Sequence, residues 1–170
     1  MNVQKLPPSA VRQLEAVEGW LALGNPQEAR AELAQLGDSL NGHPQVLDRS
    51  WEVAAALKDW EEALRLACAR LELFPADATG WVHRSYALRR CKQGGLQHAW
   101  DALAPAVAQF PKVSLIPYNI ACYAAQLGKL NEAWDWINKA VAAAEDVSSV
   151  KELALRDEDL RPLWDRVRGL

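Results

Sequence analysis

Apolar residues recur along this chain three or four positions apart, which is the spacing of helices that bury one face. The most continuous apolar stretch is residues 117–128, and it ends at Gly128, a residue type that favours the positive φ of a helix terminus. A few polar residues follow, and a second apolar pattern begins at Ala133. The stretch therefore predicts two helices joined by a tight turn. A pair this short needs neighbouring copies of itself to cover its apolar side.

An alanine marks the start of the buried face in four such segments. These are Ala29, Ala63, Ala99 and Ala133, and their spacings are 34, 36 and 34 residues. A period of this length predicts an array of helix pairs. The predicted pairs are 10–22 with 26–40, 45–57 with 60–73, 79–92 with 95–109, and 114–127 with 130–144.

The C-terminal residues predict further helices that cover the end of the array. Ser149 and Glu152 have the spacing of a capping box, which predicts a short helix to about Leu155. Asp157 then predicts the start of a final helix that ends near Arg168. Terminal elements of repeat arrays commonly shield the last apolar face in this way.

The period and several of its residues resemble the tetratricopeptide repeat family, in particular its bacterial members. Gly24 and Gly128 match the turn glycine, Trp81 matches the tryptophan of the first helix, and Pro75 and Pro111 match the terminal proline. The four alanines match the small residue of the second helix. Residues 118–128 and 154–163 also resemble the last repeat and the segment that often follows it, so the resemblance covers roughly residues 10–165.

The resemblance implies an all-α fold, namely a right-handed α-solenoid of four helix pairs with a C-terminal cap. We expect one array over residues 1–170, with repeats at about 10–44, 45–78, 79–112 and 113–146 and the cap at 147–170. It also implies a non-enzymatic adaptor or scaffold that binds a peptide segment of a partner protein in a concave groove lined by the first helices. A homo-oligomeric structural module, or a chaperone-like holder of a partner protein, is the alternative.

Two residues depart from the family pattern. Lys58 stands where a turn glycine is usual, and Trp51 stands where the first helix normally has Gly or Ala. If this register holds, the second helix pair is splayed; otherwise Ala54 takes the small position. The third repeat also carries about two extra residues, within 91–95.

Composition narrows the classes of partner. The net charge of −3 argues against nucleic acid, because phosphate binding needs a basic surface. No apolar run approaches the length of a membrane span, and the N-terminal residues lack the apolar core of a secretory signal. Three scattered cysteines favour reduced thiols over a disulfide framework, and we expect a cytoplasmic protein.

No set of residues predicts catalysis, a metal or a cofactor. The three histidines have no nucleophile or carboxylate at a spacing that would indicate a catalytic site. No phosphate-binding glycine motif is present. A metal site formed by His83, Cys91 and Cys122 is disfavoured, since structural metal ligands usually cluster more tightly in sequence.

Charge is unevenly distributed between neighbouring repeats. Residues 45–78 contain four basic and seven acidic residues, whereas residues 79–112 contain five basic residues and one acidic residue. Mapped onto the family pattern, first-helix side chains of the third and fourth repeats line the groove. These predicted groove residues are His83, Tyr86, Arg89, Arg90, Tyr118, Asn119, Cys122 and Gln126.

Arginines beside aromatic rings predict an acidic partner segment, because guanidinium groups bind carboxylates bidentately. The structural alternative is that Arg89, Arg90 and Lys92 simply complement the dipole at a helix C-terminus. Some family members clamp a C-terminal carboxylate with Lys and Asn residues of the first helices. The corresponding positions here, Leu14, Glu18, Asp48 and Glu52, would repel one, so that mode is rejected.

Eight tryptophans are many for 170 residues, and packing between repeats accounts for most of them. Trp134 and Trp136 are two residues apart, so their side chains lie on different faces of one helix. We expect one of them to be exposed, on a surface for a partner or for self-association.

Overall fold

The computed structural model describes residues 5–170, so residues 1–4 of the predicted array lie outside the described part. The chain divides into two compact units, Met1–His83 and Arg84–Leu170. Every regular element within residues 5–170 is a helix, as the pattern predicts. Across these same residues, no helix combines the length and the apolar character needed to cross a bilayer.

The first unit contains two helix pairs and the start of a third. Its elements are α1 (Pro8–Ala22), α2 (Pro26–Leu33), a 3-10 turn (Asp38–Leu40), α3 (Pro44–Ala56), α4 (Trp60–Leu73) and the first part of α5 (Ala78–Leu88). Helices α1, α2 and α3 each begin at a proline, whose fixed φ suits the first helical position and whose missing N–H is not needed there. Val17, Ala29 and Val53 form the buried contact among these three helices.

The second unit contains the rest of α5 and the C-terminal elements. These are α6 (Leu96–Leu103), α7 (Ala106–Gln109), α8 (Leu115–Gln126), α9 (Leu130–Ala143), α10 (Val147–Arg156), a 3-10 segment (Glu158–Leu163) and α11 (Trp164–Arg168). Helix α8 packs against α6, α9 and the 3-10 segment. Its residues from Ile116 to Ala125 are buried except Asn119, so α8 is the core of this unit.

The four alanines that define the period are all fully buried. Ala29, Ala63, Ala99 and Ala133 have no exposed surface. Each lies in the first turn of a second helix or close to it. A single methyl group lets another helix approach closely, and a larger side chain would force the two apart.

Three of the turns between paired helices have the same backbone geometry. Gly24, Lys58 and Gly128 have φ values of 71°, 58° and 76°. In each turn this residue donates its N–H to the carbonyl three residues earlier, and the next residue donates to the carbonyl five residues earlier, at 2.9–3.0 Å. This is the Schellman pattern of helix ends. Lys58 therefore adopts the left-handed conformation for which the other two turns use a glycine.

Several predicted helices are shorter than the sequence pattern indicated. The helix predicted to 40 ends at Leu33, and the chain becomes extended at Gly37 before it forms the 3-10 turn. The helix predicted to 92 ends at Leu88, whose carbonyl accepts the N–H of Gly95 at 2.9 Å. The extra residues of the third repeat are absorbed in this connection. The helix predicted over 95–109 breaks before Ala106, since Pro105 has no N–H to continue the ladder.

The C-terminal prediction was wrong in its details. Helix α10 is capped by Asp146, whose carboxylate accepts the N–H of Ser148 at 3.0 Å, and not by a Ser149 capping box. After Asp157 the chain forms a 3-10 segment that contains Pro162, and only then α11. Asp146 provides its acceptor earlier in the chain than Ser149, and proline shortens the run of α-helical hydrogen bonds.

Replacing Lys58 with glycine should stabilise the protein. Glycine removes the steric cost of φ near 58°, so we expect a gain of about 1 kcal/mol in the free energy of unfolding, measured with urea.

The matched reverse change is Gly128→Ala, where the new Cβ would meet no atom within 4 Å. Any loss there is due to the backbone conformation, and we expect about 1 kcal/mol. A Lys58→Gly protein no more stable than the wild type would contradict the left-handed assignment of this turn.

Candidate partner-binding surfaces

The eight predicted groove residues fall in both compact units. His83 is the last residue of the first unit, and the other seven lie in the second unit, from Arg84 onward.

Arg89, just after the end of α5, makes a bidentate ion pair with Asp159. Its Nη1 and Nη2 donate to the two carboxylate oxygens, with an Nη2–Oδ1 distance of 2.7 Å. The guanidinium also lies 5.9 Å from the centre of the Tyr123 ring. The hydrogen bonds to Asp159 raise the pKa of Arg89, and its side chain is only 18% exposed. The predicted carboxylate-binding arginine thus binds a carboxylate of its own chain.

Three predicted residues on α8 contact the same C-terminal turn. The Tyr118 hydroxyl and the Cys122 thiol both donate to Asp157 Oδ2, at 3.0 and 3.4 Å. Burial, and then the Asp157 charge, raise the pKa of the Cys122 thiol, so it stays protonated and can donate. Gln126 Nε2 donates to the backbone carbonyl of Asp159 at 3.2 Å. We call Arg89, Tyr118, Cys122 and Gln126 the carboxylate-binding face, and Asp157–Glu158–Asp159 the acidic turn.

The acidic turn is held by apolar anchors as well as by polar contacts. Leu160 and Leu163 follow it and are 0% and 2% exposed, and Val167 on α11 is fully buried. Asp157 also accepts the backbone N–H of Asp159 at 3.0 Å, which fixes the turn itself. The segment therefore combines a buried apolar side with a polar side that faces Arg89 and α8.

The other predicted residues of this unit make contacts near their own helices. The Arg90 guanidinium lies 3.6 Å from the centre of the Tyr86 ring and donates to the Tyr86 carbonyl at 3.1 Å. Burial lowers the pKa of Arg90. The Asn119 side chain is half-buried and donates to the Leu115 carbonyl at 2.9 Å.

In the first unit, His83 stacks flat on Trp51. The ring centres are 3.8 Å apart and the ring planes differ by 4°. Burial lowers the pKa of His83 to about 4, with the Arg70 charge acting in the same direction and Asp48 opposing it. Trp51 thus packs against α5, while Ala54 is buried on α3. The misfit of Trp51 to the family pattern was the sequence signal for this contact, but its partner was not predicted.

Arg70 is the buried cation beside this stack. Its Nε donates to Asp48 at 2.9 Å and its Nη2 to Asp77 at 2.7 Å, and its side chain is 6% exposed. The guanidinium also lies 4.6 Å from the centre of the Phe74 ring. Two carboxylates compensate one buried cation here. The charges of these groups act in opposite directions on the imidazole of His83, which stays uncharged beside them.

An open cleft between α1 and α3 was not predicted as a site. Its volume is about 420 Å³. Arg49 spans the cleft, donating to Glu18 and to Glu52 at 2.6 Å each. The lining residues are Leu6, Val11, Leu14, Glu15, Glu18, Gln45, Asp48, Arg49 and Glu52. Four of these are acidic and one is basic, which agrees with the inference that a carboxylate clamp is absent here.

Trp134 and Trp136 do point away from different sides of α9, but neither is exposed. Both are half-buried. Arg166 lies 4.4 Å from the centre of the Trp134 ring. The Trp136 ring contacts Trp100 edge-on at 6.4 Å and is covered by Lys139 at 3.6 Å. The expectation that one ring is exposed was wrong, because α11 and the preceding helix pair supply cover on both sides.

Cys122, Asp157 and Asp159 lie close enough together to resemble a metal-ligand set, with their ligand atoms within 4.8 Å of one another. Their surroundings account for the cluster without an ion. Arg89 neutralises Asp159, and the thiol of Cys122 and the hydroxyl of Tyr118 serve Asp157 as donors.

Loss of the Asp159 charge should weaken the C-terminal segment. For Asp159→Asn we expect a loss of about 1–3 kcal/mol in the free energy of unfolding, because Arg89 then lacks its carboxylate in a partly buried position. The neighbouring Glu158→Gln is the control. Its side chain is 73% exposed, so its effect should stay below about 0.5 kcal/mol in the same denaturation experiment. Equal effects of the two variants would contradict the assigned role of Asp159.

His83 should make the protein sensitive to acid. An ordinary histidine titrates near 6.5, whereas folded His83 titrates at about 4, so between these pH values the unfolded state binds more protons. Stability is therefore lost as the pH falls, by about 1–2 kcal/mol between pH 7 and pH 5. His83→Phe retains a ring against Trp51 and should abolish this part of the pH dependence. His98→Phe, at an exposed residue, is the control and should leave it unchanged.

Comparison with known proteins adds support for the fold. No family model matches the sequence, and no curated protein matches it either. Among solved structures, the chain is similar to MamA 41-end from Desulfovibrio magneticus RS-1, with a TM-score of 0.66 and 20% sequence identity. The match covers 98% of this chain and 97% of that chain. At this identity the likeness shows the fold alone, and it confirms the predicted all-α, tetratricopeptide-like solenoid fold.

Proposed function

We propose that this chain is a non-enzymatic, cytoplasmic protein-interaction adaptor of the bacterial tetratricopeptide type. The residue period, the four buried alanines and the repeated turn geometry support the family assignment. The observation that carries the adaptor function is the open cleft between the first helices α1 and α3. Helical repeats of this kind offer such clefts to segments of other proteins.

The cleft has an apolar base and a polar rim. Leu14 is buried at its base, and Val11 is 40% exposed. A partner side chain that covers Val11 would remove apolar surface from water, which favours binding by about 25 cal/mol per Å² of buried area. The polar rim would set which partner segments are accepted.

The charge of the rim favours a basic partner segment. Glu15 has no ion pair among those formed by the described residues, whereas Glu18 and Glu52 share the single cation Arg49. The cleft therefore has an excess of negative charge, and a segment with Lys or Arg beside its apolar residues complements it. This partner chemistry differs from the acidic segment expected from the third repeat.

The acidic partner segment remains our proposal for the second unit. It would bind at the carboxylate-binding face, with the remaining predicted residues Tyr86, Arg90 and Asn119 nearby in sequence and His83 on the first part of α5. The chain's own acidic turn shows the kind of segment that Arg89 can hold. Charge reversal of Arg89 would carry a structural cost, since Arg89→Glu would oppose Asp159 directly.

The cleft can be tested with two short amphipathic peptides that share their leucines and differ only in carrying Lys or Glu at the polar positions. We expect the basic peptide to bind the wild-type protein in fluorescence anisotropy and the acidic peptide not to bind there. Val11→Asp and Glu15→Lys should each alter the basic peptide's affinity. Glu15→Lys should weaken it about tenfold, because an attractive charge becomes a repulsive one.

Glu28→Lys is the matched control for this experiment. It makes the same charge change at an exposed residue of α2 that does not line the cleft. The cleft assignment fails if Glu28→Lys weakens binding as much as Glu15→Lys does. Measurement of the mass by light scattering at several concentrations tests the homo-oligomeric alternative.

A further inference from the structure

We infer that the acidic turn is a built-in competitor for the carboxylate-binding face, so that an acidic partner segment binds there only when the turn is released. This inference rests on the proposed adaptor function and adds a regulatory element to one of its surfaces. The turn comes from the same chain, yet its contacts have the features of a bound peptide.

The first such feature is that the turn is recognised from two separate elements. Arg89 follows α5, and Tyr118, Cys122 and Gln126 are spread over more than two turns of α8. All four side chains converge on Asp157 and Asp159.

The second feature is that the contacts include both side chains and backbone. Arg89 donates to the Asp159 carboxylate, whereas Gln126 donates to the Asp159 backbone carbonyl. Such a combination selects a segment by its negative charge and also fixes its position along α8.

The third feature is that the charge balance leaves no room for a second acidic segment. Arg89 is the cation of this face, and Asp159 accepts from both of its Nη atoms. Tyr118 and Cys122 are uncharged donors, and both are directed at Asp157. An incoming carboxylate would face the negative charge of Asp157, whose side-chain donors on α8 are uncharged, so the two segments exclude each other.

Attachment to the same chain gives the turn an advantage over a free partner. A tethered segment competes at an effective concentration that reaches the millimolar range for short connections. The buried Leu160 and Leu163 hold it further in place. The apparent affinity of a partner is then reduced by the fraction of molecules in which the turn is open. Neutralising the turn while keeping these leucines should raise that fraction.

The test uses a fluorescent peptide with the sequence of residues 155–161, Leu-Arg-Asp-Glu-Asp-Leu-Arg. Its affinity is compared for the wild type and for the double variant Asp157→Asn/Asp159→Asn. We expect at least about tenfold tighter binding to the double variant, because its own turn no longer competes for Arg89. Further replacement of Arg89 by Gln should abolish the gain, and a peptide with Asn in place of both aspartates should not bind.

The control protein is Glu152→Gln/Asp165→Asn. It makes the same change in net charge at two exposed side chains outside the turn and should bind the peptide as weakly as the wild type does. Equal affinity of the wild type and the Asp157/Asp159 double variant overturns the inference. So does equal tightening in the control protein.

A second measurement needs no variant. In the wild type, the amide N–H groups of Asp159 and Leu160 are hydrogen-bonded within the turn. An excess of the peptide should speed their hydrogen exchange as it displaces the turn, and unchanged exchange at saturating peptide overturns the inference. The result is separate from that of the cleft experiment, which uses a basic peptide and residues of the first unit only.

Discussion

Close packing of paired helices at one small residue per repeat is the constraint on which the rest of the structure depends. The four alanines have no exposed surface, and each opens the buried face of a second helix. A methyl group brings the helix backbones together, and the turns then return the chain at a fixed angle. This explains why three of the turns repeat one hydrogen-bond pattern, even where Lys58 must adopt a conformation that glycine would adopt more easily.

Several arginines of this protein bind carboxylates of the same chain, and this limits which surfaces remain for a partner. Arg70 is buried between Asp48 and Asp77, and Arg89 is held by Asp159. Arg49 bridges Glu18 and Glu52 at the rim of the α1–α3 cleft. A count of charges along the sequence cannot reveal such compensation. Arg89 in the second unit favours an acidic partner segment. The acidic excess in the α1–α3 cleft favours a basic one.

The C-terminal residues both complete the core of the second unit and present the acidic turn. Leu160, Leu163 and Val167 bury their side chains, while Asp157 and Asp159 satisfy the donors of Arg89 and α8. Arg89 therefore binds a carboxylate, but the carboxylate belongs to the C-terminal segment of the same chain. The same contacts are the physical basis of the competition proposed for an acidic partner.

The sequence by itself determined the helical class, the period and the residues at the helix crossings, because helical spacing and small buried residues are local patterns. It also placed Arg89, Tyr118, Cys122 and Gln126 among eight predicted groove residues. Only the tertiary structure decided what they contact, since Asp157 and Asp159 lie 33 to 70 residues further along the chain. Helix ends at Leu33 and Leu88, the Trp51–His83 stack and the cleft likewise depend on contacts between separate elements, and a single periodic pattern contains no record of these.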